Sequence, residues 1–307
     1  MNKALVLTIA MFLCTAVGGA SAQQAFKTPD EAAAALVKVA KAGDVKALMT
    51  VLGPDGEDIL SSGDEVADAE TRQKFVAAYD AKHQITLESD NKAIMVIGPE
   101  DYPLPIPLLR KDGAWKFDTA AGRDEILARR IGKNELDAVQ ASLAYVDAQN
   151  EYAEKDRTGA GVNTYAQRII SQPGKRDGLY WPTSIGEEAS PLGELVAQAT
   201  RRGYRVGGGR TPFNGYYFKI LTKQGAVAPG GEMDYVVNGK MIGGFALVAY
   251  PADYGNSGVM TFLVNHAGIV FQKDLGPDTA RLAERMTSFN PDRSWQKVSD
   301  TDIAPLQ

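Results

Sequence analysis

The segment from Gly215 to Asp274 constrains the fold of this chain more than any other. It alternates apolar and polar residues through Gly215-Tyr216-Tyr217-Phe218-Lys219-Ile220-Leu221 and on to Phe271-Gln272-Lys273-Asp274. Asn238-Gly239, Pro251, Gly255-Asn256-Ser257-Gly258 and Asn265-His266-Ala267-Gly268 interrupt it. Period-two alternation between such breaks predicts a meander of antiparallel strands. Neighbours in a strand point to opposite faces, so Tyr216 and Phe218 share one face and Tyr217 takes the other.

The start of the chain reads as a secretory signal over residues 1–22. Lys3 supplies the positive end, Ala4 to Val17 is apolar, and Ala20-Ser21-Ala22 places small residues before Gln23. The apolar run is too short to serve as a stable membrane span. Cys14 is the only cysteine and lies inside this leader, so the exported chain has no disulfide to form. Its stability must come from a packed core. Cleavage leaves 285 of the 307 residues, with 32 basic against 38 acidic side chains. That length suits two domains, expected at 23–131 and 132–307. The mild acidity argues against a nucleic-acid surface. No membrane span is expected after cleavage, and the localisation expected is periplasmic or secreted.

The first half opens with helices. Thr28 can cap, Pro29 suits the first turn, and Asp30 and Glu31 face the positive end of the helix dipole. Gly43 stops this helix, Asp44 starts a short second one, and Ala69 to Ala81 forms a third. Strands follow at Gln84–Glu88 and Ala93–Ile97, the latter an apolar run expected to be covered on both faces. Lys111-Asp112-Gly113 is a turn into Trp115-Lys116-Phe117. Helices, a loop, a helix and then a curved sheet resemble the cystatin-like or nuclear-transport-factor-like cone fold, on the opening turn Ala42-Gly43-Asp44-Val45-Lys46-Ala47-Leu48. Enzyme members of that family hold an acid–base pair in the cone. The nearest polar candidates here are Tyr79, Asp80, His83 and Tyr102.

A long helix is expected from Asn134 to about Asp156, with Leu136, Val139, Leu143, Val146 and Ala153 on one stripe. That helix, the loop Asp177-Gly178-Leu179-Tyr180-Trp181-Pro182, and strands at Tyr216, Phe245–Pro251 and Ser257–Asn265 resemble the soluble head of type IV pilin-like proteins. The chain lacks their apolar N-terminal stem. Over segments 28–60, 134–156 and 213–275 the whole chain resembles an uncharacterised family of secreted bacterial proteins, domain-of-unknown-function family 2950. That resemblance implies no catalytic residues.

Few residues suggest chemistry. Only His83 and His266 exist, and no metal-ligand spacing appears. No cofactor is expected. Gly207-Gly208-Gly209-Arg210 is read as a turn, because Pro212 denies it the helix a phosphate loop needs. Ser257, His266 and Asp253 form the one conceivable catalytic triad, if antiparallel strands bring them together. Tyr216, Tyr217 and Tyr254 join Tyr79, His83 and Tyr102 as candidate ligand-binding residues.

The expected architecture is α+β: N-terminal helices with a curved antiparallel sheet, then a long helix packed on a C-terminal antiparallel sheet. The leading functional expectation is a non-catalytic binding or assembly-accessory module that presents its C-terminal sheet to another envelope protein or polymer. Its alternatives are a small-molecule binder or enzyme using the N-terminal cone, a hydrolase using Ser257 and His266, and a structural protein that self-associates through strand edges. The oligomeric state is left open. The state of the cone interior, and of the sheet face opposite the long helix, discriminates the first two.

Overall fold

The computed structural model describes residues 23–184, 186–207 and 210–299. The expected leader at 1–22 and two glycines of the Gly207–Arg210 run lie outside the described residues. In chain order come α1 (Pro29–Ala42), α2 (Val45–Leu52), a 3-10 turn, α3 (Glu57–Leu60) and α4 (Glu65–Ala81). Strands β1 (His83–Ser89), β2 (Lys92–Ile97), β3 (Tyr102–Pro103), β4 (Leu108–Lys111) and β5 (Ala114–Phe117) follow. Then come α5 (Thr119–Tyr152), α6 (Gly193–Arg202), β6 (Tyr216–Leu221), β7 (Lys223–Gln224), β8 (Met233–Asp234), β9 (Val236–Val237) and β10 (Lys240–Met241). The chain ends with β11 (Ala246–Pro251), β12 (Met260–Asn265), β13 (Val270–Asp274), α7 (Thr279–Arg285), β14 (Ser288–Phe289) and β15 (Gln296–Lys297). The fold is α+β.

The local signals act as their chemistry requires. The Thr28 side chain accepts a hydrogen bond from Glu31 N, and Gly43 ends α1 at φ 67°, a left-handed cap that costs glycine little. Asp44 caps α2 by accepting from Ala47 N. The third expected helix begins four residues earlier than read, because the buried Asp64 caps it through Ala67 N. Asp112 and Gly113 both take positive φ, the geometry of a tight hairpin turn, and β4 pairs with β5 across it.

The N-terminal sheet has the order β1-β2-β4-β5, with β3 also on β2. Its inner face buries Ala93, Met95, Ile97, Leu108, Trp115 and Phe117 against Leu36, Leu48 and Leu52 of α1 and α2. β2 is buried only at alternate positions. The apolar run at 93–97 is therefore covered on one face, and Ile94 and Val96 remain half-exposed on the other.

The second sheet runs β15-β13-β12-β11-β6, antiparallel throughout. This is the expected meander, with β7 to β10 forming an excursion between β6 and β11. α5 packs on one face; α7 and β14 pack on the other. Every residue of β11 is consequently buried. Lys219, projecting opposite to Phe218, donates to the α7 carbonyls of Ala283 (3.3 Å) and Glu284 and to Met286 O (2.6 Å).

Between the two cores runs α5, a single helix of 34 residues. It opens at Thr119, not at Asn134, so the expected boundary at 131/132 falls inside it. Gly132 does not stop it: one mid-helix glycine costs only about 1 kcal/mol, and packing on both sides outweighs that. Asn134 is consequently no cap. It is buried within the helix, and its Nδ2 donates to Ser257 O at 2.9 Å. Gly122 lets the first turns of α5 approach the β3–β4 connection, since a Cβ there would lie 2.6 Å from Pro105 O. Among the described residues, no helix is long and apolar enough to cross a membrane.

Candidate functional site

An open cavity of about 400 Å³ lies in the N-terminal half, bounded by α1, α2, α3, α4, the β3–β4 connection and the middle of α5. Its depth is apolar, built from the buried Leu36, Ala40, Leu48, Leu52 and Ile106, with Ile59, Leu60 and Phe75 nearer the surface. α4 contributes Ala67, Thr71, Lys74 and Phe75, spaced so that they share one helix face. No residue of α4 is fully buried, so this helix covers the cavity without closing it.

α5 supplies the polar wall. Ile126, Arg129, Arg130, Lys133 and Asn134 line the cavity at i, i+3, i+4, i+7 and i+8, one stripe of a helix. Arg129 pairs with Glu125 and sits 5.1 Å from the ring centroid of Tyr102. Lys133 pairs with Asp137. Arg202, arriving from α6, donates to Glu70 at 2.9 Å, and Lys74 reaches the same carboxylate at 2.8 Å. Together Lys74 and Arg202 hold the Glu70 carboxyl below its ordinary range.

Arg130 is held differently. Its guanidinium donates to the backbone carbonyls of Asp58 (2.6 Å) and Ile59 and to the side-chain oxygen of Asn256. Among the described residues, no carboxylate comes within ion-pair distance of it. The three nearby acids are turned elsewhere: Asp58 to Arg123, Asp68 to Ser62, and Asp253 to Asn256. Burial accordingly pushes the Arg130 pKa down, while those acids act on it only at longer range.

The cavity abuts a polar seam between the halves. Asp64, 2% exposed, accepts from Tyr204 OH and from Gly215 N, each at 2.9 Å. Asn214 donates its backbone N–H to Tyr204 OH and lines the cavity, with its Oδ1 buried and without a partner. Asn256 donates to Ser61 O at 2.8 Å, and Glu135 accepts from Val259 N and Met260 N.

Of the six candidate ligand-binding residues, Tyr102 alone lines this cavity. Tyr79 packs against the N-terminal core from the end of α4 and stacks on His83, at the start of β1, with centroids 3.8 Å apart. Tyr216 is a core residue whose OH donates to Met260 O. Tyr217 lies on the opposite sheet face, with the Arg210 guanidinium 4.4 Å above it. Tyr254 donates to Asp274 at 3.2 Å near the tip of the β11–β12 hairpin.

The Ser257–His266–Asp253 triad does not assemble. β12 stands between Ser257 and His266, a span of about 20 Å at the rise of an extended strand. Ser257 is buried and closes its own turn: its Oγ donates to Asp253 O and accepts from Asp253 N. The Asp253 carboxylate accepts from Asn256. His266 is exposed at a turn, edge-on to Tyr235 and Phe245.

The family model described as Protein of unknown function (DUF2950) matches residues 23–298. The chain belongs to this family. No curated protein and no solved structure matches it. The match to DUF2950 spans both cores, the seam between them and every residue of the cavity.

Arg130, Arg202 and Asn214 escape a reading of the sequence alone. A signal for the first was present: Ile126, Arg129, Arg130 and Lys133 follow helical spacing, but only once the helix is extended back to Thr119. Nothing local in the sequence brings Arg202 or Asn214 to α4.

Proposed function

We propose that this DUF2950 protein binds a small, mainly apolar molecule in the cavity beneath α4 and does not transform it. The observation that carries this reading is the contrast between the two halves. The C-terminal sheet carries α5 on one face and α7 with β14 on the other, and every residue of its β11 is buried, so little of either face is left for presentation to an envelope partner. The N-terminal cavity is open, apolar in depth and rimmed by a few polar groups, the ordinary form of a small-molecule site. A volume of about 400 Å³ lies at the small end of such sites. Binding without chemistry is favoured because the two acids of the wall, Asp68 and Glu70, are engaged by Ser62 and by Lys74 with Arg202. Helices laid on an antiparallel sheet support the cone-like resemblance of this half. With the leader at 1–22, the protein acts outside the cytoplasmic membrane.

The neutral fluorescent probe N-phenyl-1-naphthylamine tests the site. The mature chain binds it saturably at about one per molecule, and Ala67→Trp, which projects an indole from α4 into the cavity, weakens binding at least tenfold. Absence of saturable binding, or equal binding by a folded Ala67→Trp, overturns the proposal.

A further inference from the structure

We infer that the ligand of this cavity is an anionic amphiphile, a short hydrocarbon chain ending in a carboxylate, with its head group against Arg130. The inference rests on the ligand-binding reading above and adds the chemical class. The chain as a whole carries a net charge of −5, yet the cavity wall is basic. Arg72, Lys74, Arg129, Arg130, Lys133 and Arg202 line it against only Asp68 and Glu70. Most of these cations have carboxylate partners. Arg130 has three neutral oxygens instead.

A partly desolvated guanidinium without a contacting anion is costly, and this one borders an apolar void. A carboxylate matches the fork geometry of a guanidinium and would form charge-assisted hydrogen bonds with its remaining N–H groups. The hydrocarbon would then run toward Leu36, Ala40, Leu48 and Leu52, away from the charged rim.

The test is calorimetric titration of the mature chain with three probes of one chain length, each below its micelle concentration: dodecanoate, dodecanol and dodecyltrimethylammonium. Dodecanoate should bind at least tenfold more tightly than dodecanol, with the cation weakest. In folded Arg130→Gln the advantage of dodecanoate over dodecanol should fall at least fivefold. Because Arg130 also ties down the Asp58–Ile59 turn, the probe series on the unaltered chain decides the ligand class even if the variant does not fold. If dodecanol binds as well as dodecanoate, the anionic head group is wrong while the apolar site stands. If the dodecanoate preference survives in folded Arg130→Gln, Arg130 is not its receptor. If no probe binds, the binding reading itself fails.

Discussion

Glu188 shows how much a single exposed residue can gather. It accepts from Arg157 at 2.7 Å and Lys155 at 2.8 Å, and Arg176 lies 3.6 Å away. The Arg157 side chain is only 4% exposed and lies 5.6 Å from the ring centroids of Tyr152 and Trp181. Glu188 thus tethers the loop after Trp181 to the segment that follows α5. Hydrogen bonds from Arg157, then Lys155, draw its pKa from 4.5 to about 2. A carboxyl depressed on folding contributes stability that is complete above its unfolded value and is lost as pH falls through the folded one. The unaltered protein should therefore lose stability more steeply than Glu188→Gln between pH 4.5 and 2. Denaturant unfolding across that range measures it; parallel curves would show that the tether contributes nothing.

At the scale of elements, α5 determines the site. Its N-terminal half packs beside α3 and the β3–β4 connection, its C-terminal half on the second sheet, and the cavity wall lies between. Gly132 is exposed at that midpoint, and a Cβ there would meet nothing within 4 Å. Gly132→Ala should stabilise the protein by about 1 kcal/mol, read from chemical denaturation, with probe binding in the cavity preserved. A destabilised alanine variant would mean that the helix needs to bend at this point. The caps at Thr28, Asp44 and the 112–113 turn were legible in the sequence, because each is satisfied within four residues. The start of α5 was not. Asp118 makes no side-chain cap there, and Thr119 instead donates to Leu52 O at 2.7 Å, a contact 67 positions distant.

The whole molecule is two apolar cores joined by a polar seam. Asp64 is central to that seam: it caps α4 through Ala67 N and accepts from Tyr204 and Gly215 of the other half. Asp64→Ala removes a cap, worth about 1 kcal/mol, and strands two buried donors at about 1–3 kcal/mol each. The expected loss is about 3–7 kcal/mol. Scanning calorimetry should then show one transition for the unaltered protein and two for Asp64→Ala, as the halves lose their coupling. One shifted but undivided transition would show that α5 alone suffices to couple them.

The sequence by itself determined the α+β class, the antiparallel meander, the starts of α1 and α2 and the family, since periodicity, caps and turn residues act over a few neighbouring positions. It also made the candidate triad easy to suspect. Only the tertiary structure decided that β12 separates Ser257 from His266, that α7 and β14 cover the far face of the second sheet, and that Arg130, Arg202 and Asn214 meet around one cavity. Those outcomes depend on which faces pack together between elements distant in the chain, and burial there is shared between elements that carry no local mark of one another.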